Sequence, residues 1–174
     1  MSQNLILCGF MGCGKSTIGR RLATVSQREF VDMDSFIELE QRTTIPEIFS
    51  SLGESVFRQM ETQAALSLSQ KQGLVIACGG GTVLNPENVR LLKQSGTILL
   101  LDTPLAALQE RLKFDTHRPL LQRPDRQEFI TSLYQQRMPL YRQAADKIVP
   151  SGAPASVVVE RILELVGETD VPVS

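Results

Sequence analysis

Gly9-Phe10-Met11-Gly12-Cys13-Gly14-Lys15-Ser16 is the stretch that decides the fold. It fits G-x-x-x-x-G-K-[ST], the pattern of a phosphate-binding loop. Its context fits as well: an apolar run at 4–8 (NLILC) precedes it, and a helical pattern over 15–25 follows. Glycines let successive backbone N–H groups turn inward and approach phosphate oxygens closely. The helix behind the loop adds the positive end of its dipole. In such a loop Lys15 reaches the β- and γ-phosphates and the Ser16 hydroxyl ligates Mg²⁺. The motif therefore points to a nucleoside triphosphate, and it leaves the acceptor open.

Outward from the loop, apolar runs alternate with amphipathic ones. Residues 29–32, 74–78, 97–102 and 147–149 read as strands. Residues 34–42, 46–70 (broken near Gly53), 86–94, 104–113 and 155–166 read as helices. Asn85-Pro86 and Thr103-Pro104 both look like a cap followed by a first-turn proline, and residues 168–174 look frayed. Nearly continuous apolar strands between helices predict an α/β protein, a parallel sheet covered on both faces.

Composition narrows the classes. The chain has 174 residues, 42% hydrophobic and 21% charged, as in a soluble globular protein, and its length suits one domain spanning 1–174. A net charge of -1, 5% aromatics and no Trp argue against a nucleic-acid binder. No apolar run approaches the roughly 20 residues of a membrane helix, and the N-terminus is a poor signal peptide. Three cysteines without a C-x-x-C spacing give neither a disulfide framework nor a zinc site; a reducing cytoplasm fits. The single histidine, His117, reads as a surface residue and leaves little for a Ser-His-Asp mechanism.

Several further groups carry chemistry. Asp32-Met33-Asp34 closes the second strand; two residues apart in extended chain, both carboxylates face the carboxyl edge of the sheet. One can hold the metal while the other meets a hydroxyl. The plainer alternative makes Asp34 a helix N-cap beside a surface acid. Arg58 and Glu61 stand at i, i+3, the spacing of an intrahelical ion pair. Gly79-Gly80-Gly81 suggests backbone approach to a ligand. The stretch 114–126 (FDTHRPLLQRPDR) has two prolines, no period, few apolar anchors and several arginines that need an anion, as in a lid. Charge is uneven: 29–61 carries eight acids against two bases, 111–142 seven bases against three acids. Cys13, inside the loop and next to a helix start, is the candidate for a nucleotide-sensitive thiol; alternatively its side chain points inward and is inert.

Together GFMGCGKST, FVDMD, FRxxE, the triple glycine, RPLL and R-x-P-L-Y resemble the shikimate kinase family, in the family's order and over nearly the whole chain. Cys78 and Cys13 stand where the family commonly has Thr and Ala or Ser. The resemblance implies a three-layer P-loop kinase fold with a parallel sheet in order 2-3-1-4-5, an acceptor segment at about 33–61 and a mobile lid at about 112–125. It implies ATP-dependent phosphorylation of the shikimate 3-hydroxyl in aromatic amino-acid biosynthesis. Gly12, Cys13, Gly14, Lys15, Ser16, Thr17, Arg111, Arg118 and Pro154 would bind ATP, with Arg111 and Pro154 flanking adenine. Asp34, Arg58, Gly80 and Arg137 would bind shikimate. Lys15, Asp34 and Arg118 would be catalytic, and Ser16 and Asp32 would hold Mg²⁺. A cytoplasmic monomer is expected. The alternatives are a kinase for another hydroxy acid such as gluconate, or a non-catalytic nucleotide-binding relative. A GTP-binding switch would need N-K-x-D and D-x-x-G, and neither occurs.

Overall fold

A computed structural model describes residues 2–169. At its centre is a parallel sheet of strands β1 (Asn4–Cys8), β2 (Glu29–Asp32), β3 (Leu74–Ala77), β4 (Gly96–Asp102) and β5 (Lys147–Pro150), in the order β2-β3-β1-β4-β5. This is the order that the family resemblance implies. The sequence of the strands follows from their place. All residues of β1 and β3 are buried and, Asn4 apart, apolar, because helices cover both faces. The edge strands are more open: β2 has no fully buried position and β5 only Val149.

The helices are α1 (Lys15–Val25), α2 (Met33–Gln41), α3 (Ile45–Leu52), α4 (Glu54–Ser69), α5 (Pro86–Lys93), α6 (Leu105–Leu112), α7 (Arg126–Ala144) and α8 (Ala155–Val166). α1 and α8 pack together along the sheet, while α5 and α7 lie against β4. Local chemistry sets the helix starts. The Thr44 hydroxyl accepts from the Glu47 N–H while the Glu47 carboxylate accepts from the Thr44 N–H, a capping box. Asn85 caps α5 as its sequence predicts, accepting from the Glu87 N–H. Gly53, at φ 86, separates α3 from α4.

Four expectations need correction. Thr103 does not cap α6: it is buried, and its hydroxyl donates to the Ser151 carbonyl at 2.8 Å, so that Pro104 stands at the cap position without a side-chain bond. The chain turns helical already at Met33, so Asp32 rather than Asp34 is the N-cap of α2; its carboxylate accepts from the Ser35 N–H at 3.0 Å. The segment 114–126 is better anchored than its composition suggests. Leu121 is fully buried, Arg126 donates to the carbonyls of Leu112, Lys113 and Leu121, and Arg123 pairs with Asp125. Finally, Cys13 points into the core at 1% exposure, against the reactive-thiol expectation. Cys8 and Cys78 are buried too, and burial pushes the Cys8 thiol up to about 12. The expectation of a frayed end falls mostly outside the described residues. Glu168, which lies inside them, is held by a two-pronged ion pair with buried Arg28.

Candidate active site

The phosphate loop joins β1 to α1. Gly12 and Gly14, at φ 79 and 95, adopt the left-handed conformation that lets the loop amides turn inward. The Lys15 ammonium folds along the loop, donating to the carbonyls of Gly9 at 2.7 Å and Phe10 at 3.3 Å. A cleft of about 400 Å³ opens above it and brings Lys15, Ser16, Thr17, Asp32, Asp34, Gly80 and Arg118 together. A second cavity of about 380 Å³ shares Gly12, Gly14 and Thr17 and is walled by Cys13, Arg111 and Pro154. Arg111 donates to the Gly12 carbonyl at 3.0 Å, and the Ser151 hydroxyl to that of Cys13 at 3.4 Å. The residues expected around a nucleotide thus border two adjoining hollows that meet at the loop.

Oxygen ligands gather at one side of the first cleft. The Ser16 hydroxyl donates to the Asp32 carboxylate at 3.2 Å. Asp32 therefore both caps α2 and faces the loop. Among the described residues no group of three or more His, Cys, Asp or Glu could hold an ion. A hydroxyl and a carboxylate, with the remaining ligands from phosphate and water, suit Mg²⁺ and do not suit a metal that needs a complete protein cage. Asp34 lies beyond them, in the first turn of α2. Its carboxyl is raised from 3.8 to about 6, chiefly by burial and then by the nearby carboxylates of Asp32 and Glu61, while Lys15 pulls the other way. A carboxylate so placed is a good proton acceptor near neutral pH.

The triple glycine organises the other side. None of the three has a left-handed φ, so close approach explains them better than backbone freedom. A β-carbon on Gly79 would stand 2.8 Å from Asp34 Oδ1, and one on Gly80 3.2 Å from Arg137 Nη1. One on Gly81 would run into the Arg58 guanidinium. Each glycine therefore makes room for one of the three charged side chains expected to bind the acceptor. Arg58 also keeps the ion pair its spacing predicts, with Glu61 at 2.5 Å, and a second with Glu54 at 3.2 Å. Glu61 is itself buried and accepts from the Thr82 hydroxyl at 2.8 Å. Among the described residues Arg137 forms no ion pair, which leaves its guanidinium for an external anion. Arg118 is paired with Asp115, whose carboxylate also accepts from the His117 and Arg118 N–H groups. His117 is exposed, as its reading predicts.

Sequence reasoning missed three groups. Glu61 is read only as a helix partner, although it ties Arg58 to Thr82. Asp115 holds Arg118. Tyr141 sends its hydroxyl to the Gly80 carbonyl at 2.7 Å. For Tyr141 a signal was available, since it stands one helical turn after Arg137.

A phosphate loop on this sheet order, with a carboxylate and two arginines set against a glycine corner, defines a P-loop kinase for a small acidic acceptor. The comparisons identify which one: the shikimate kinase profile matches residues 11–167, and the chain belongs to the shikimate kinase family. Shikimate kinase from Aromatoleum aromaticum is 45% identical over 148 residues, 85% of each chain. The solved shikimate kinase from Acinetobacter baumannii in complex with shikimate superposes with a TM-score of 0.88 at 36% identity, covering 99% of this chain and 97% of that one. A gluconokinase from Sinorhizobium meliloti aligns at TM-score 0.62 and 15% identity, covering 93% of this chain and 90% of that one, a likeness of fold alone.

Proposed function

We propose that this chain transfers the γ-phosphoryl group of ATP to the 3-hydroxyl of shikimate, giving shikimate 3-phosphate and ADP on the route to chorismate and the aromatic amino acids. The observation that carries the reading is the triple glycine, where Asp34, Arg137 and Arg58 each face one glycine. Two guanidinium groups suit a planar carboxylate, which each can grip in two-pronged fashion. The Gly80 N–H adds a donor on the same side. Asp34 orients the attacking hydroxyl and accepts its proton, and its raised pKa makes it a better acceptor than an ordinary aspartate.

Phosphoryl transfer asks mainly for alignment and for positive charge around the moving group. Lys15 provides it from the loop and Arg118 from the segment at about 112–125, which closes over the acceptor segment at about 33–61. Closure keeps water from the γ-phosphate. Ser16 and Asp32 would hold Mg²⁺, which supplies further charge neutralisation when bound. Gly12, Cys13, Gly14 and Thr17 line the phosphates, and Arg111 and Pro154 flank adenine. No helix among the described residues is long and apolar enough to cross a membrane. A coupled ADP-release assay over shikimate, quinate, gluconate and nucleoside monophosphates tests the proposal. Turnover should be confined to shikimate, or strongest with it; preferential turnover of gluconate or of a nucleotide would overturn it.

A further inference from the structure

We infer that Tyr141 is a positioning residue for the acceptor: its hydroxyl locks the Gly80 carbonyl to the helix that carries Arg137, so that the glycine corner and one carboxylate-binding arginine are held in register. The inference rests on the acceptor reading of Gly80 and Arg137.

Tyr141 is among the largest fully buried side chains of the molecule, and its ring fills core space that a phenylalanine would fill equally well. The hydroxyl is the part that needs a reason, because a buried phenol must find a partner. It finds the Gly80 carbonyl at 2.7 Å, 61 residues away in sequence. The Arg137 guanidinium, one turn earlier on the same face of α7, lies beside the phenol, and its charge opposes the rise in the phenol's pKa that burial causes. A β-carbon on Gly80 would stand 3.2 Å from Arg137 Nη1, so the guanidinium fills the space beside that glycine. Tyr141 therefore ties the glycine to the helix that carries Arg137.

The corner needs such a tie. Three successive glycines have more conformations to lose than any other tripeptide. Fixing the middle carbonyl restricts the orientation of the peptide planes on which the corner's shape depends. The other end of the tie is firm. Pro139, between Arg137 and Tyr141, cannot donate to the Gln135 carbonyl, but Gln135 is exposed, so water can satisfy that carbonyl and α7 runs on without interruption. On the far side of the corner, Thr82 is bonded to Glu61 through its hydroxyl and to Asn88 through its carbonyl. Tyr141 thus supplies the missing restraint between two anchored elements.

The test is Tyr141→Phe, which keeps the ring and removes one oxygen, with Arg137→Lys measured beside it. The expected result for Tyr141→Phe is a roughly tenfold rise in KM for shikimate, the scale of one buried hydrogen bond lost with its acceptor left unpaired. KM for ATP should stay within about twofold, and the melting temperature should fall by only about 2–4 °C, the scale of one lost hydrogen bond with the core contact kept. A lowered melting temperature with unchanged KM for shikimate would make Tyr141 a core residue only and overturn the inference. If Arg137→Lys raises that KM and Tyr141→Phe does not, the tie is refuted and the acceptor site stands. If neither substitution moves it, the acceptor assignment fails and the inference with it.

Discussion

Asp34→Asn should separate what the site needs from what the fold prefers. In the folded chain the Asp34 carboxyl is raised from 3.8 to about 6, first by burial and then by Asp32 and Glu61. A raised carboxyl means that the folded state keeps a proton the unfolded state has already lost. Stability is therefore free of this penalty below about pH 4, falls as the pH rises towards 6, and carries the full penalty above it. The shift corresponds to ~3 kcal/mol at most. Asp34 is only partly buried, so solvent screening reduces this to ~1–2 kcal/mol. Asparagine also gives up a favourable charge in the first turn of α2, about 0.3–1 kcal/mol. The balance still favours the variant by ~1 kcal/mol, or about 2–4 °C in melting temperature for a chain of this size. The measurement is thermal unfolding from pH 4 to 8, without nucleotide and with EDTA to remove metal. The variant should gain on the parent protein as the pH passes from 4 to 6 and hold its lead above that. Turnover should meanwhile fall by about 10²–10⁴-fold, since the proton acceptor is gone. A variant no more stable at pH 7 than at pH 4, relative to the parent, would refute the reasoning about the buried carboxylate.

Three other outcomes follow from the site. Arg58→Lys keeps a charge near Glu61 but loses the planar fork, so KM for shikimate should rise about 10-fold or more while KM for ATP holds; equal changes in both would place Arg58 outside the acceptor site. Limited trypsin digestion should cut the edges of 114–126, after Lys113 and Arg126, more slowly when ATP analogue and shikimate are both present; Arg118 and Arg123 each precede a proline and resist trypsin. Equal rates would count against a closing lid, and the Arg126 bonds and buried Leu121 should make even the free enzyme's cleavage slow. Iodoacetamide with mass-spectrometric mapping should leave Cys13 unlabelled in the native protein and label it after denaturation; native labelling that Mg-ATP suppresses would restore the reactive-thiol reading.

What could be read in advance depended on how local the causes are. The phosphate loop was legible because its conformation needs glycine at fixed positions, and the central strands because burial on both faces makes them almost wholly apolar. Thr103 was misread because the partner of its hydroxyl, Ser151, lies 48 residues away. Asp34 was read both as the first residue of a helix and as the end of an extended run, because the boundary between β2 and α2 falls just before Met33 and no pattern fixes a boundary that finely. The anchoring of 114–126 was invisible because Arg126 binds backbone carbonyls, which carry no sequence signal.

The uneven charge along the chain takes its meaning only in three dimensions. Burial does most to push Asp34 towards neutral pH, and the acidic stretch 29–61 adds to it through Asp32, Glu61 and Glu38. Spread over a solvated helix face they would have been screened and of little effect. Folded around one buried group, they help to turn an ordinary aspartate into a base. The basic stretch 111–142 contributes Arg111 and Arg118, which border the two hollows at the phosphate loop, and Arg137, which stands against Gly80. The acids thus gather where a proton must be accepted and the bases where phosphate and carboxylate must be held. Glu61 links the two sets: the same buried carboxylate that raises Asp34 also holds Arg58. On the proposed reading of the site, removing Glu61 would therefore loosen the acceptor clamp and weaken the base together.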